Sequence, residues 1–191
     1  MRASNSLLAL FFYDGGLPVK NYRYLERRRQ TFRRIGFWFA EILICIFLAL
    51  IAAQFCVQTV TIRGDSMQPA YRDGDTVIVN KLKYRISNPA RYDVVLIELE
   101  AGTSTHYIVK RVLGLPGETI QIVDGKVLIN GEEIKTEFSE EILSAGLAAY
   151  SIELGEDEYF VMGDNCNNSE DSRVANIGNI TRKQIKGRIS H

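Results

Sequence analysis

The stretch "YIVKRVLGLPGETIQIVDGKVLING", residues 107–131, decides the fold. It is rich in Val and Ile, which favour extended backbone, and it is broken by Gly, Pro and Asp. "TIQIV" (119–123) and "KVLIN" (126–130) flank the pair Asp124 and Gly125. Both residues tolerate the positive φ that a type I′ hairpin turn demands at its two central positions. Asn130 and Gly131 repeat the signal. Working outward, "TVIVNK" (76–81), "DVVLIEL" (93–99), "HYIVKRVLG" (106–114) and "YFVMG" (159–163) are short runs of the same kind. No strand alternates with a long amphipathic helix, which disfavours a parallel α/β sheet and leaves a mostly β, antiparallel domain. "TEFSEEILSAGLAAYSIELGE" (136–156) shows no clear period and is expected as a helical excursion or a loop lying on a membrane surface.

Toward the N-terminus the composition changes. "IGFWFAEILICIFLALIAAQFCV" (35–57) is apolar except for Glu41 and Gln54, long enough to cross a bilayer core of about 30 Å. A buried helix or a cleavable signal sequence is the alternative, because Ala52 and Ala53 resemble a small-residue cleavage site. Six arginines in "RYLERRRQTFRR" (23–34), with no Lys or Arg again until Arg63, favour an anchor with a cytoplasmic N-terminus. The expected division is a basic cytoplasmic segment (1–34), one N-terminal transmembrane helix (35–57) and an extracytoplasmic β-rich domain (58–191). The stretch "SLLALFFYDGG" (6–16) is expected on the cytoplasmic membrane face.

Residues 1–57 hold eight Lys/Arg against three Asp/Glu, and residues 58–191 hold fifteen against twenty. So acidic a main domain lacks the footprint of a nucleic-acid binder. Two histidines and three scattered cysteines give no paired metal-ligand spacing. Cys45 and Cys56 fall in the span, so Cys166 is the one thiol of the outer domain and is expected to be free.

"RGDSMQPAYRDGD" (63–75) has two readings. Arg63, Gly64 and Asp65 spell a tripeptide bound by adhesion receptors, while Ser66 stands where a nucleophile would sit on a turn. A serine hydroxyl is weak until a positioned base takes its proton. Of the two histidines, His191 is terminal and His106 stands alone. A lysine can serve instead if neutral. Holding one neutral at pH 7 requires about 4.6 kcal/mol from a reference pKa of about 10.4, which burial in an apolar site can supply. Lys110 fits: alternation along "HYIVKR" puts His106, Ile108 and Lys110 on one face and Arg111 on the other. The plainer reading is an edge-strand lysine that discourages aggregation. "GDNCNNSEDSR" (163–173) reads either as a turn bonding its own backbone or as a supporting shell. In the second case Ser169 orients the amine, while Asp171 and Arg173 fix the loop.

Together these stretches resemble the type I signal peptidases of bacteria, membrane-bound serine proteases that remove signal peptides from exported preproteins. The resemblance rests on an N-terminal anchor, "GDSMQPAYRDGDTVIVNK", "RYDVVLIEL", "YIVKRVLGLPGETIQIVDGKVLING", "YFVMGDNCNNSEDSR" and "IKGRI", in the family's order. It implies Ser66 as nucleophile, Lys110 as general base, Ser169 positioning the lysine, and Asp171 with Arg173 holding the site. Met67 and Pro69 would shape the substrate groove. It further implies two antiparallel sheet regions, no metal or cofactor, and substrates with small residues one and three positions before the cut. Three departures stand out: Gly64 where some members carry a hydroxyl that donates to the oxyanion, Cys166 where arginine is usual, and "VANIGNI" in place of an aromatic pair after Arg173. The competing readings are a self-cleaving repressor with a similar Ser/Lys pair, an inactive tethered relative, and an adhesion module displaying residues 63–65. The last predicts an exposed loop; the protease reading predicts that Asp65 and Ser66 line a groove.

Overall fold

The computed structural model describes residues 19–101, 104–136, 138 and 140–190. "SLLALFFYDGG" and His191 lie outside them. The chain forms two compact units, the first ending at Ile51 and the second beginning at Ala52.

The first unit is built on helix α1, Val19–Cys56, whose apolar segment Phe32–Ile51 spans 20 residues with mean hydropathy 2.2. Its large side chains stand exposed, Phe37 by 69% and Trp38 by 67%. This 20-residue apolar segment, unburied among the described residues, has the length of a bilayer crossing, about 30 Å. Helix α1 runs through Cys56, and Val57, the last residue of the expected span, opens the first strand.

The second unit is mostly antiparallel β, in two sheets. The larger takes strands β1 (Val57–Thr61), β2 (Thr76–Asn80), β3 (Val94–Ala101), β4 (Ser104–Gly114), β9 (Glu158–Met162), β10 (Ile180–Thr181) and β11 (Ile185–Ser190). Their order is β1-β2-β11-β3-β4-β9-β10. The smaller takes β5 (Thr119–Val123), β6 (Lys126–Ile129), β7 (Glu132–Glu133) and β8 (Ile152–Glu153), in the order β7-β6-β5-β8. A short helix, α2 (Lys83–Ile86), follows β2. Both expected hairpin turns are present: Asp124 and Gly125 have φ of 49° and 74°, Asn130 and Gly131 of 51° and 84°.

Three clusters of buried side chains fill the domain. Met67, Tyr71, Val79, Leu96 and Val109 pack together on one side of the large sheet. Val95, Ile97, Val112, Tyr159 and Ile180 form a second cluster, and Leu113, Ile120, Phe160 and Cys166 join the small sheet to the large one. Gly114 sits at a register shift between β4 and β9. A Cβ there would lie 2.5 Å from Leu154 Cδ1 and 2.9 Å from Phe160 Cβ. Only glycine lets the two sheets close at this point.

Of the two expected forms of the stretch 136–156, the helical excursion is not taken and the backbone is largely loop. It holds no α-helix among the described residues, only a 3-10 turn at Gly146–Ala149 and strand β8. Ile142, Ala148 and Leu154 are buried against the small sheet, and Leu147 N–H donates to Arg173 O at 2.9 Å. Few backbone bonds lie within the segment, so its conformation is set by distant partners that leave no local period.

Candidate active site

Ser66 lies on a loop closed at its base by backbone bonds from Ile62 N–H to Asp75 O (2.8 Å) and from Gly74 N–H to Ile62 O (3.0 Å). Met67, 1% exposed, drives into the core and anchors the loop. Gly64 turns the chain with φ of 80°, and its N–H donates to Asp73 Oδ1 at 2.7 Å. That donor is occupied, so Gly64 offers neither a hydroxyl nor a free N–H. Among the described residues the N–H of Ser66 has no hydrogen-bond partner.

Lys110 comes from β4 and pairs in register with Val95. It is 4% exposed, and its Nζ lies 2.9 Å from Ser66 Oγ and 3.1 Å from Ser169 Oγ. Burial is the main cause that lowers its pKa from 10.5 to about 8. The nearby Asp171, Glu170 and Asp164 carboxylates pull the other way. Two of these charges are answered locally. Arg173 grips Asp171 through Nε–Oδ1 at 2.8 Å and Nη2–Oδ2 at 2.9 Å, and Arg111 grips Asp164 through Nε–Oδ1 at 2.7 Å and Nη2–Oδ2 at 2.5 Å. Such two-point pairing leaves less net negative charge to hold a proton on Lys110.

Residues 163–173 support both hydroxyls. Asn165 N–H donates to Ser66 O at 3.0 Å, and its Nδ2 donates to Asp65 O at 3.2 Å. The second carbonyl belongs to the peptide unit whose N–H is that of Ser66, so planarity of that unit fixes the direction of the N–H. Asp171 Oδ2 accepts from Gly163 N–H at 3.2 Å. A Cβ on Gly163 would collide with Ser169 Oγ and the Ser66 carbonyl oxygen. Arg173 Nη1 donates to Ser144 O at 2.9 Å, and Nη2 bonds Cys166 O, tying the 140s to the site. Cys166 is a free, buried cysteine whose thiol is raised by burial.

The residues expected from sequence do not all gather. Ser66, Lys110 and Ser169 meet directly, with Asp171 and Arg173 behind them. Met67 lines the adjoining cavity, whereas Pro69 is exposed and is not part of its lining. His106 is exposed on the cavity wall. Arg63, Gly64 and Asp65 are exposed, as an adhesion loop would be, and Asp65 is not among the lining residues. That reading gives no reason for a buried amine on Ser66. Sequence reasoning missed Gly163, Asp164, Asn165 and the partnership of Arg111. Arg111 pairs with Met162 across β4 and β9, two residues from Asp164. An unlike-charge pair there becomes readable only once the strand pairing is known.

The cavity, about 360 Å³, is bounded on one side by Val60–Arg63 and on the other by Thr105–Lys110. β1 is the outermost strand of the large sheet, and β4 pairs with β9 only from Arg111 onward. Two strand edges therefore border one groove that ends at the Ser66 hydroxyl.

Comparison with known proteins fits this arrangement. The sequence profile of the family described as signal peptidase, peptidase S26, matches residues 35–191. A signal peptidase I of Bacillus amyloliquefaciens is 35% identical over 162 residues, covering 78% of this chain and 83% of that protein. Signal peptidase I T of Bacillus subtilis (strain 168) is 36% identical over 158 residues, with 78% and 80% covered. A crystal structure of a signal peptidase I from Enterococcus faecalis V583 aligns with TM-score 0.45 at 26% identity, covering 55% of this chain and 98% of that one. The chain belongs to the signal peptidase family, peptidase S26.

Proposed function

We propose that this chain is a membrane-anchored serine endopeptidase that removes signal peptides from exported preproteins, with Ser66 as nucleophile and Lys110 as general base. The observation that carries the assignment is the 2.9 Å contact between a serine hydroxyl and a lysine amine that is 4% exposed. The residues before Phe32 face the cytoplasm, the apolar segment Phe32–Ile51 crosses the membrane, and the domain that opens with strand β1 at Val57 is the protease outside.

The exported chain enters the groove extended and bonds to the free edges of β1 and β4, as an added strand would. The narrow cavity beside Ile62, Met67 and Leu96 admits small side chains before the cut. A closing substrate strips remaining water from Lys110, which lowers its pKa further in the bound state. The neutral amine takes the Ser66 proton while Oγ attacks the scissile carbonyl. The Ser66 N–H, held by Asn165 through the Asp65 carbonyl, donates to the oxygen on which charge develops. The Lys110 ammonium gives its proton to the leaving amine, and the acyl-enzyme forms. Lys110 then takes a proton from a water whose oxygen attacks the acyl carbon, and returns it to Ser66 Oγ as the ester bond breaks and the signal peptide leaves. Ser169 keeps the amine aimed at Oγ through both halves, and Asp171 with Arg173 fixes the loop that carries Ser169. Aqueous preprotein incubated with the purified chain should yield a single cut after small residues, seen by intact mass, and none with Ser66→Ala. Equal cutting by Ser66→Ala would refute the assignment.

A further inference from the structure

The groove at Ser66 continues beyond Tyr107. Leu96 and Tyr107 line its cavity and also line a second cleft, of about 400 Å³. Strand pairing accounts for the continuity. Val109 lies opposite Leu96 and Tyr107 opposite Glu98, so these four side chains follow one another along one face of the sheet. The first part of that face is apolar and packs with Met67. The second is basic: Lys81, Arg85, Arg182 and Lys186 line the second cleft, with Glu98 beside them. Glu98 is already held by Lys186 and by Tyr107 Oη, which donates at 2.8 Å. Arg182 donates to Tyr84 O and lies 5.4 Å from the centre of the Tyr84 ring. Among the described residues, Lys81 and Arg85 have no ion-pair partner.

A substrate strand in the groove carries its side chains across this boundary in a fixed order. In extended backbone the first, third and fifth residues before the cut point to one side, about 6.6 Å apart. The small side chains nearest the cut fill the apolar part beside Ile62, Met67 and Leu96. With the first residue beside Lys110, the fifth lies about 13 Å back along the strand. Tyr107 stands three positions before Lys110, about 10 Å away along β4. The fifth side chain has therefore passed Tyr107 and faces the basic cleft, while the fourth and sixth point away from it. We infer that Lys81 and Arg85 bind a carboxylate on the fifth residue before the cut, so that substrates with Glu at that place are cut faster. Lys81 is half-buried and Arg85 exposed, so the gain is that of a solvated ion pair, about fivefold at most. The inference rests on the extended substrate of the reading above.

Quenched-fluorescence peptides cleaved by the full chain in nonionic detergent test it. All carry Ala at the first and third positions before the cut and differ only in Glu, Gln or Lys at the fourth or the fifth. At about 0.05 M salt, kcat/KM for Glu at the fifth position is expected to exceed that for Gln about three- to fivefold, with Lys below Gln. The ratio should approach one at about 0.5 M salt, and at the fourth position it should stay near one throughout. In the Lys81→Glu/Arg85→Glu variant, checked for an unchanged melting midpoint, the order at the fifth position should invert, with Lys above Gln and Gln above Glu. No preference at low salt, an equal preference at both positions, or a preference that the variant keeps would overturn the inference. If the variant does not fold, the position and salt comparisons on the parent decide. Peptides left uncut by the folded chain, or cut equally by Ser66→Ala, refute the protease reading and the inference with it. Cutting that depends on Ser66 but not on the fifth residue refutes the inference alone.

Discussion

With its pKa at about 8, Lys110 is neutral in about one molecule in ten at pH 7 and about one in a hundred at pH 6. The kcat/KM for a peptide substrate is therefore expected to rise about tenfold from pH 6 to 7 and about fivefold from 7 to 8, levelling above pH 9. The same shift acts on stability. The unfolded chain holds the lysine proton up to about 10.5 and the folded chain only to about 8. Between those values the unfolded state binds more protons, so stability rises with pH across that window. Below pH 8 the buried amine costs the fold about 3 kcal/mol. Lys110→Met removes that cost and also the bonds to Ser66 and Ser169, worth about 1 kcal/mol each. The variant should be inactive yet about 1 kcal/mol more stable at pH 7, and less stable than the parent by pH 10.5. The assays are a quenched-fluorescence peptide in detergent and denaturant melts at both pH values. An activity profile flat from pH 6 to 8, or a stability difference between variant and parent that ignores pH, would refute a buried, depressed lysine.

Other substitutions probe the support. His106→Ala should keep the acid limb near pH 8, because that limb belongs to Lys110; a shift of the limb would make His106 the base. Gly163→Ala should lower kcat about a hundredfold by pushing apart Ser66 and Ser169, measured under saturating substrate. Asn165→Ala should lower kcat about tenfold with KM unchanged, since the Ser66 N–H loses its alignment; a loss confined to KM would contradict that role. Arg173→Met leaves Asp171 buried without its charge partner and should destabilise the domain by about 3 to 5 kcal/mol, read as a drop in melting midpoint.

The hairpins at Asp124–Gly125 and Asn130–Gly131 were legible because turn chemistry and alternation are local signals. Lys110 was visible as a cation set in an apolar strand, but an edge-strand lysine fits that pattern as well, and the resemblance chose between them. Strands β1 and β11 were harder to see. "VQTVT" borders the apolar span and merges with it, and "IKGRIS" becomes a strand only through Gly187, where a Cβ would strike Val79. The convergence of Ser66, Lys110 and Ser169 spans 44 and 59 positions, and no local pattern encodes such distances. Family resemblance supplied them. Asn165 was unreadable for another reason, since its partners are backbone carbonyls whose placement depends on the folded loop. Pro69 shows the converse: a position assigned by resemblance to the groove is exposed here and lies outside its lining.

The protonation state of Lys110 is open to direct measurement by carbon-13 NMR of the full chain carrying ε-labelled lysine, with Lys110→Met to assign the signal. A Lys110 resonance that titrates near pH 8 is the predicted result. A Lys110 resonance that titrates with the surface lysines, at or above about 10.4, would contradict the account.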